Sequence, residues 1–392
     1  MNEIATIKNV VLKKDKKIIL NIPELRLPKN KIISLVGPSG AGKTTLLNLL
    51  SKIEIAKDSK IELYKNITTA DIGYILQDNL LYEEISVFQN IYLSAKNSFV
   101  WRKEKRSEFL QNWKDLKIKK STYITKQVNK YLNNLDPKKE KQIFLWVWFL
   151  LFWFYLFTNL NFFKEFVKEL RLKHFFKKDL DFIAKKVEIT EILNNKAQNI
   201  SGGQKQRVLI AKAIVKKSEL ILMDEPFSAL DVKIKEKTIE WIAKIKREFN
   251  LSIILVTHDQ NDALKLSDYI LVMRNGKIEQ FDTKDNVLDR PATFFVANFF
   301  CSPELNLISQ DKDSKSFIKP RDIYISKAKG YSSELTIIHK ENIGDLTIYK
   351  VSDCDSTYTS LSTNNKLSVG DLVDIKIDQQ KILRFKNEEI AI

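Results

Sequence analysis

Cysteine is nearly absent from this sequence, which has only Cys301 and Cys354 among its 392 residues. Two cysteines are too few for a disulfide framework, which suits a chain that folds in a reducing compartment. The start of the chain also lacks a basic segment followed by an apolar one, since Asn2 to Asn9 is mixed polar. This pattern predicts that the protein is not exported. The length is sufficient for two or three domains with cores of their own.

Positive charge is abundant, and its distribution along the chain is uneven. The formal net charge is +16, which is typical of proteins that meet nucleic acid or an anionic surface. A chain rich in Lys, Asn and Ile throughout is also what an AT-rich genome encodes. However, residues 96–178 contain 20 Lys and Arg against 7 Asp and Glu. Because genome composition would spread the charge evenly, this concentration indicates a functional surface in that segment.

A glycine-rich loop follows an uncharged apolar run. Ile32–Val36 predicts a buried parallel strand, and Lys43–Leu50 predicts a helix. A strand, a glycine-rich loop and a helix in this order form a phosphate-binding loop, whose backbone N–H groups turn toward phosphate. We expect the Lys43 ammonium to reach the β- and γ-phosphates and the Thr44 hydroxyl to bind Mg²⁺. The residues of this predicted ATP site are Gly37, Pro38, Ser39, Gly40, Ala41, Gly42, Lys43, Thr44 and Thr45.

Two further apolar runs end in side chains suited to nucleotide hydrolysis. Leu220–Met223 ends in Asp224 and Glu225, an acidic pair that is costly at the end of a buried strand unless a cation or a catalytic role balances it. We expect Asp224 to hold Mg²⁺ through water and Glu225 to act as general base on the attacking water. Ser252–Val256 leads to His258, whose place after the third strand predicts a γ-phosphate contact. The alternative is an acidic strand end that only caps the next helix.

With a second glycine motif, these residues resemble the ATP-binding subunit of an ABC transporter. Residues 201–204 are Ser-Gly-Gly-Gln, the signature motif of that class, and the motifs follow the family's order. The resemblance covers residues 1–96 and about 179–290, and it implies an α/β P-loop NTPase with a RecA-like core and a helical subdomain. It also adds residues to the site. Gln77 is expected to bind the metal and to take part in catalysis. The residues expected to bind ATP are Ser201, Gly202, Gly203 and Gln204 of the signature motif, and Asp231.

The family implies a head-to-tail dimer, with each ATP between one phosphate-binding loop and the partner's signature motif. Ser201 and the backbone of Gly202 and Gly203 would then contact the γ-phosphate of the partner's ATP, at the start of a helix running to about Lys216. Because this chain has one cassette with every catalytic residue present, a homodimer with two active sites is favoured. A heterodimer is the open alternative.

The sequence departs from the family where adenine is usually stacked on an aromatic ring. The corresponding stretch, Leu12–Lys17, contains four lysines and no ring. Stacking contributes about 1 kcal/mol, so we expect weaker or less base-selective adenine binding, or a lysine stem lying over the purine. Two smaller departures are Ile200 in place of leucine and a short segment before Gln77, which predicts a reduced antiparallel layer.

Residues 291–392 resemble the small OB-like (TOBE) barrel of carbohydrate, glycerol-phosphate and polyamine importer ATPases. Short alternating runs such as Asp345–Val351 and Leu372–Ile377 independently predict small antiparallel strands. We therefore expect an ABC cassette over 1–290 followed by an all-β regulatory and dimerisation domain. OB-like folds often bind nucleic acid, but the interleaved basic and aromatic residues for that role are missing here. No nucleic acid partner is expected.

The resemblance also implies partners and a location. The partners are two integral-membrane permease subunits and, through them, an extracellular solute-binding protein, with this chain peripheral on the cytoplasmic face of the membrane. The string Ser302–Asn306 favours a carbohydrate, glycerol or glycerol phosphate as solute, and a polyamine is the alternative. A soluble ABC protein acting on ribosomes or DNA is disfavoured because the chain has one cassette and no long heptad run. An exporter's ATPase would lack the barrel.

A segment of about 97–178 has no counterpart in the family, and we call it the insertion. It holds five of the six tryptophans, and 142–163 is uncharged. As a helix these residues would span about 33 Å, but one crossing is excluded because parts of the same cassette lie before and after it. We expect contact with the permease, an anionic membrane interface or a re-entrant hairpin; the alternative is an extra helix packed on the cassette. Its flanking basic residues are Lys138, Lys139, Lys141, Lys164, Lys168, Arg171 and Lys173.

Overall fold

The computed structural model describes residues 3–14, 17–56, 59–64, 67–76, 81–117, 122–133, 136–158, 172–228, 230–328, 335–353, 356–386 and 390–391. Contacts group the chain into two compact units, one of Met1–Leu35 and Gly42–Ser267 and the other of Val36–Ala41 and Asp268–Ile392. The residues that follow Ser267 therefore group with the C-terminal region, before the sequence-based boundary at 290. The domain assignment of 1–290 and 291–392 stays a prediction.

The first unit contains both strands and helices, with six described helices in succession between β5 and β6. They are β1 (Glu3–Lys14), β2 (Lys17–Pro28), β3 (Ile32–Val36), α1 (Lys43–Leu50), β4 (Lys60–Leu63), β5 (Gly73–Ile75), α2 (Val87–Asn97), α3 (Phe99–Lys117), α4 (Thr122–Leu132), α5 (Pro137–Thr158), α6 (Leu172–Lys186), α7 (Gly202–Val215), β6 (Leu220–Asp224), α8 (Val232–Phe249), β7 (Ser252–Val256) and α9 (Gln260–Leu266).

Four parallel strands lie at the centre of this unit, in the order β5-β6-β7-β3. All five residues of β3 and of β7 are buried, as expected of strands covered on both faces. Their short, mostly apolar runs without charge predicted both strands residue for residue. Strand β6 ends one residue later than predicted, because Asp224 pairs with Val256 in the ladder. The carboxyl ends of β6 and β7 therefore lie side by side.

An antiparallel layer of three described strands, β2-β1-β4, accompanies the parallel strands. The lysine-rich stretch Leu12–Lys17 lies at the tip of the β1–β2 hairpin, where Lys14 is opposite Lys17. The family usually has its adenine-stacking aromatic residue in this stretch. The Lys14 ammonium is 2.7 Å from the Glu54 carboxylate. The hairpin thus holds at least one of its lysines in an ion pair; Asp15 and Lys16 lie outside the described residues.

Two helices predicted next to the insertion are present with shifted bounds. The helix predicted over Ser86–Ser94 is α2, and Ser86 caps it. The helix predicted over about Asp179–Leu193 is α6, which starts and ends earlier, and a separate 3-10 turn covers Thr190–Ile192. The early end has a local cause, since Glu188 adopts the left-handed backbone conformation (φ 58°) that terminates helices.

The insertion joins the cassette at an elbow between α2 and α3, and Ser98 is the residue at this elbow. The buried Ser98 hydroxyl lies 3.0 Å from the carbonyl oxygen of Lys216, at the end of α7, and 3.2 Å from the Asp71 carboxylate. It also accepts a hydrogen bond from the Trp101 backbone N–H at 3.2 Å. The Trp101 indole in turn donates to Asp179 in α6 at 2.8 Å. The base of the insertion is therefore fixed to the cassette by buried polar contacts.

Beyond this elbow the insertion has an apolar core of its own. Helices α3, α4 and α5 bury one face each. The same bundle contains a buried ion pair, in which the fully buried Glu140 accepts hydrogen bonds from Arg106 at 2.6 Å and from the Tyr131 hydroxyl at 2.8 Å. Among the described residues, no helix combines the length and the apolar character needed to cross a membrane. The core residues are Phe109, Leu110, Ile124, Val128, Tyr131, Phe144, Val147 and Leu151.

The second unit is mostly antiparallel. Its pairings among described residues are β8 with β9, the sheet β10-β11-β17-β18, the pair β12-β16 and the sheet β13-β14-β15. This array of short strands is compatible with the predicted OB-like domain. The elements are β8 (Tyr269–Arg274), β9 (Lys277–Thr283), α10 (Lys284–Asp289), α11 (Phe294–Phe299), β10 (Asn306–Gln310), β11 (Ser314–Ile318), β12 (Ile323–Lys327), β13 (Thr336–Ile343), β14 (Leu346–Ser352), β15 (Thr357–Ser362), β16 (Val373–Ile377), β17 (Leu383–Lys386) and β18 (Ile390–Ala391).

Candidate nucleotide site

The glycine-rich loop between β3 and α1 has the backbone conformation that its sequence predicts. Gly40 has φ 79°, in the left-handed region, and a Cβ built on it would meet no atom within 4 Å. A Cβ on Gly37 would lie 2.1 Å from the Met273 carbonyl oxygen, so only glycine fits there. The Ala41 N–H donates to the Pro38 carbonyl at 3.2 Å and closes the turn. Ser39 lies exposed on this turn, which leaves open space beside its backbone for an anion.

Helix α1 begins at Lys43, directly after the loop. Its N-cap residue is Gly42, which offers no side-chain cap, so the first-turn N–H groups are suited to an anionic ligand. Thr44 is exposed and its hydroxyl lies 3.4 Å from the Asp224 carboxylate; Thr45 follows it in the same turn. Two of the three groups that the sequence assigned to Mg²⁺, Thr44 and Asp224, are thus next to one another.

Burial and charge at the end of β6 shift two pKa values. Burial raises the pKa of Asp224, with the nearby Glu225 adding to this and the Thr44 hydroxyl and Lys43 opposing it. Burial likewise lowers the pKa of the Lys43 ammonium, against the attraction of Glu225 and Asp224. Each charge is therefore partly desolvated, and a bound cation beside Asp224 or a phosphate beside Lys43 would stabilise the charged form. No group of three or more His, Cys, Asp or Glu in the described part of the chain could hold a metal.

Glu225 and His258 form a pair at the ends of β6 and β7. The His258 Nδ1 lies 3.0 Å from the Glu225 carboxylate. Glu225 has φ 47°, an unfavourable conformation for a residue with a side chain, and its N–H donates to the Val256 carbonyl at 3.0 Å. This bond to β7 holds Glu225 in the strained conformation beside His258. The imidazole is mostly exposed, so both side chains are accessible to a ligand.

A small cavity of about 100 Å³ adjoins this pair, and sequence reasoning missed part of its lining. The Lys235 ammonium lies 2.5 Å from the Asp259 carboxylate and 2.9 Å from that of Asp262, which is almost fully buried. This network fixes the segment after His258. Its only signal in the sequence is that Asp259 precedes a short helix, the usual place for an N-cap residue.

Asp231 and the signature motif lie at helix starts. Asp231 caps α8 by accepting a hydrogen bond from the Ile234 N–H at 3.0 Å. Ser201 caps α7 in a capping box: its hydroxyl accepts from the Gln204 N–H at 3.3 Å, and the Gln204 side chain accepts from the Ser201 N–H at 2.9 Å. Helix α7 runs to Val215, as predicted. Gln77 and Ala229 lie outside the described residues.

The two signature glycines have room for a side chain within this chain. A Cβ at Gly202 would lie 3.7 Å from Leu230, and one at Gly203 would lie 3.7 Å from Ile234. Both distances are ordinary van der Waals contacts. Packing inside one chain therefore does not explain glycine at either position.

Comparison with known proteins agrees with this geometry. A family model described as ABC transporter matches residues 20–144 and 150–228. The spermidine/putrescine import ATP-binding protein PotA of Mesomycoplasma hyopneumoniae is 30% identical across 96% of this chain and 95% of its own length. PotA of Mycoplasmopsis synoviae is 31% identical across 80% of this chain and 74% of its own. The sn-glycerol-3-phosphate import ATP-binding protein UgpC of Psychromonas ingrahamii is 26% identical across 92% and 87%.

The phosphate-binding loop, the acidic strand end and the capped signature helix thus occur in a chain that matches this family over most of its length. The chain belongs to the ABC transporter family. It is an ATP-binding ATPase whose hydrolysis is coupled to transport. The sequence-based identification of the class and of the P-loop fold is confirmed, and the roles of individual site residues stay predictions.

Proposed function

We propose that this chain is the ATP-hydrolysing subunit of an importer. The observation that carries the proposal is the pair of contacts at the ends of β6 and β7, with Thr44 beside Asp224 and Glu225 beside His258. Each copy of the chain brings these four side chains, so a homodimer would have two sites, each completed by the partner's signature motif. The import function of the full-length relatives supports the direction of transport.

The proposed metal is Mg²⁺, held by Thr44 and by Asp224 through water, with Gln77 as a further ligand. An oxygen donor set of one hydroxyl and one partly desolvated carboxylate fits this ion, which keeps several waters. When bound, Mg²⁺ neutralises charge on the phosphates during transfer. Lys43 then binds the β- and γ-phosphates, and the N–H groups of the glycine loop orient them.

In this proposal Glu225 accepts a proton from the attacking water. The 3.0 Å contact with His258 orients the Glu225 carboxylate, and the exposed His258 is free to contact the γ-phosphate. The bond from the Glu225 N–H to β7 keeps the carboxylate at this position without help from a ligand. A pre-positioned base loses little entropy when the water binds.

The signature motif acts on the partner's ATP. Gly202 and Gly203 are not required by packing within the chain, which supports a close approach from outside. The start of α7 offers N–H groups to a γ-phosphate, and Asp231 lies at the adjoining helix start. The second subunit is therefore another ATPase chain, in the simplest case a copy of this one.

The proposed partners outside the ATPase dimer are two permease subunits and, through them, an extracellular solute-binding protein. The chain would then reside on the cytoplasmic face of the cell membrane. ATP binding and hydrolysis would close and open the dimer and so drive the permeases. The C-terminal β-rich unit is proposed to regulate and to support dimerisation.

The proposed solute is a polyamine, because two relatives, one 30% identical over nearly the full length of both chains and one 31% identical over 80% of this chain, are named for spermidine and putrescine import. A glycerol phosphate or carbohydrate is the second candidate, favoured by the string Ser302–Asn306 and by UgpC. Purifying the chain with its permeases and binding protein, and measuring ATPase stimulation by spermidine and by glycerol 3-phosphate, distinguishes them. Stimulation by glycerol 3-phosphate alone would contradict the polyamine assignment.

The catalytic assignment is tested with Glu225→Gln. The amide keeps the shape of the side chain but does not accept the proton, so we expect hydrolysis to fall by at least 100-fold while ATP binding is kept. ATP should also trap the variant as a stable dimer in gel filtration. Glu236→Gln, an exposed change on α8, is the matched control and should hydrolyse ATP normally. Near-normal hydrolysis by Glu225→Gln would refute the assignment.

A further inference from the structure

Helix α5 of the insertion has two apolar faces, and only one of them is covered. Phe144, Val147 and Leu151 are buried in the insertion's own core. On the opposite side lie four aromatic residues that we call the aromatic ridge. The exposed fractions of their side chains are 49% for Trp146, 45% for Phe149, 43% for Trp153 and 77% for Phe157.

The rings of the aromatic ridge form a continuous strip. Successive ring centroids are 6.0 Å apart from Trp146 to Phe149, 6.1 Å from Phe149 to Trp153 and 5.5 Å from Trp153 to Phe157. Along the helix axis the strip extends over about 17 Å. Half-exposed rings of this size present on the order of 400 Å² of apolar surface, which soluble proteins seldom leave open without a function.

The charge beside the ridge indicates what covers it. The insertion carries 20 basic against 7 acidic residues over 96–178. Lys139 is exposed and lies two helical turns before Trp146, so it is on the same side of α5 as the ridge. The exposed Lys141 lies at the same end of the helix. Lys164, Lys168 and Arg171 lie outside the described residues.

Exposed lysines at one end of a strip of exposed tryptophan and phenylalanine, within a segment of net positive charge, match the interface of an anionic bilayer. Tryptophan is enriched at the level of lipid headgroups, and basic side chains are attracted to anionic lipids. The cytoplasmic loops of a permease, by contrast, carry an excess of Lys and Arg, which would repel this surface. Charge complementarity therefore favours lipid over permease.

We propose that the aromatic ridge is a membrane-docking face, which lies flat on an anionic lipid bilayer with its rings among the headgroups. The covered face of α5 stays in the insertion's core, so the helix rests on the surface without entering the bilayer. Docking in this way needs neither ATP nor a permease.

The test uses the full chain and vesicles that contain no permease. The chain should float with vesicles of phosphatidylcholine containing 30% phosphatidylglycerol, and binding to pure phosphatidylcholine should be at least tenfold weaker. Raising the salt from about 0.1 M to 1 M should weaken binding to the anionic vesicles without abolishing it, because only the electrostatic part is screened. Failure to float with anionic vesicles would overturn the proposal, leaving a permease or a second copy as the occupant.

The residues are tested with a double variant, Trp146→Gln with Phe157→Gln, which changes two exposed side chains and leaves the core intact. Binding to anionic vesicles should fall at least tenfold. The matched control is Phe182→Gln with Tyr324→Gln, two equally exposed rings outside the ridge, and its binding should stay within twofold of the wild type. Equal binding by both variants would overturn the assignment.

A second measurement needs no substitution. Acyl chains brominated near their headgroup end quench tryptophan emission at short range, so anionic vesicles containing them should quench the wild-type chain, through Trp146 and Trp153. The buried Trp101 and Trp241 would be unaffected. Absence of quenching in vesicle-bound protein would mean that a different surface binds, and the proposal would be wrong.

Discussion

At the residue scale, the lysine-rich tip of the β1–β2 hairpin bears on base recognition. The sequence leaves two hypotheses open: either adenine binds with lower affinity or selectivity, or a lysine side chain packs over the purine. In the structure Lys13, Lys14 and Lys17 are all exposed, and Lys14 forms an ion pair with Glu54. The ion pair makes Lys14 the least available of these three lysines for stacking.

We therefore expect GTP to compete with ATP better than it does in relatives with an aromatic residue at this position. Without a ring, stacking worth about 1 kcal/mol is lost, which corresponds to roughly fivefold weaker binding of the adenine base. Competition by GTP in an ATP-binding assay measures this. A strong preference for ATP that persists when Lys13, Lys14, Lys16 and Lys17 are each changed to Ala would contradict both hypotheses.

Lys212, on α7, gives a prediction on pH. Burial, with a smaller effect of Lys216, lowers its pKa to about 8 from the ordinary 10.5. Between pH 8 and 10.5 the unfolded chain binds more protons than the folded one, so the free energy of unfolding rises with pH in this window. Below pH 8 the cost of the buried charge is fully present.

Lys212→Met should therefore raise the free energy of unfolding at pH 7, by about 1–3 kcal/mol, and flatten its rise between pH 8 and 10.5. Urea unfolding at several pH values measures both effects. Lys237→Met, at an exposed position on α8, is the control and should change neither. An unchanged pH profile for Lys212→Met would refute the shifted pKa.

At the element scale, the insertion depends on one buried carboxylate. Glu140 is the partner of both Arg106 and the Tyr131 hydroxyl. Glu140→Ala should destabilise the insertion by about 3–5 kcal/mol, because the mostly buried guanidinium loses its counter-charge. Limited proteolysis should then cut within residues 99–158 while ATP binding persists. Glu108→Ala removes one exposed partner of the buried Lys105 ammonium, which keeps Asp179 at 3.0 Å, and should cost less than about 1 kcal/mol.

The elements also mark what the sequence can and cannot predict. Strands β3 and β7 were predictable because an uncharged run bounded by polar residues has one compact solution, a strand buried on both faces. The run at 143–157 was ambiguous because fifteen consecutive apolar residues show no periodicity, so the covered face of α5 depends on α3 and α4. The end of α6 was missed because a left-handed glutamate, Glu188, has no sequence signal comparable to glycine.

At the scale of the whole molecule, the proposed head-to-tail dimer makes a prediction that single variants do not. A Ser201→Arg chain and a Glu225→Gln chain should each be inactive alone. Mixed before ATP is added, they should regain up to about a quarter of wild-type activity, because half the dimers are mixed and each mixed dimer has one intact site. ATPase assays of the mixture measure this. No recovery on mixing would indicate that the signature motif acts within its own chain.

The elbow at Ser98 has a mechanical consequence. The Ser98 hydroxyl lies within hydrogen-bond distance of the carbonyl group at the end of α7. The same oxygen accepts a hydrogen bond from the Trp101 N–H in the first turn of α3. The helix that starts at the signature motif is thus joined to the base of the bundle of α3, α4 and α5, which Trp101 also attaches to Asp179 of α6. A rotation of α6 and α7 together that keeps these bonds would carry the bundle with it, and the displacement would grow with distance from Ser98. A rotation of about 5° would move the far end of α3, about 28 Å away, by about 2 Å.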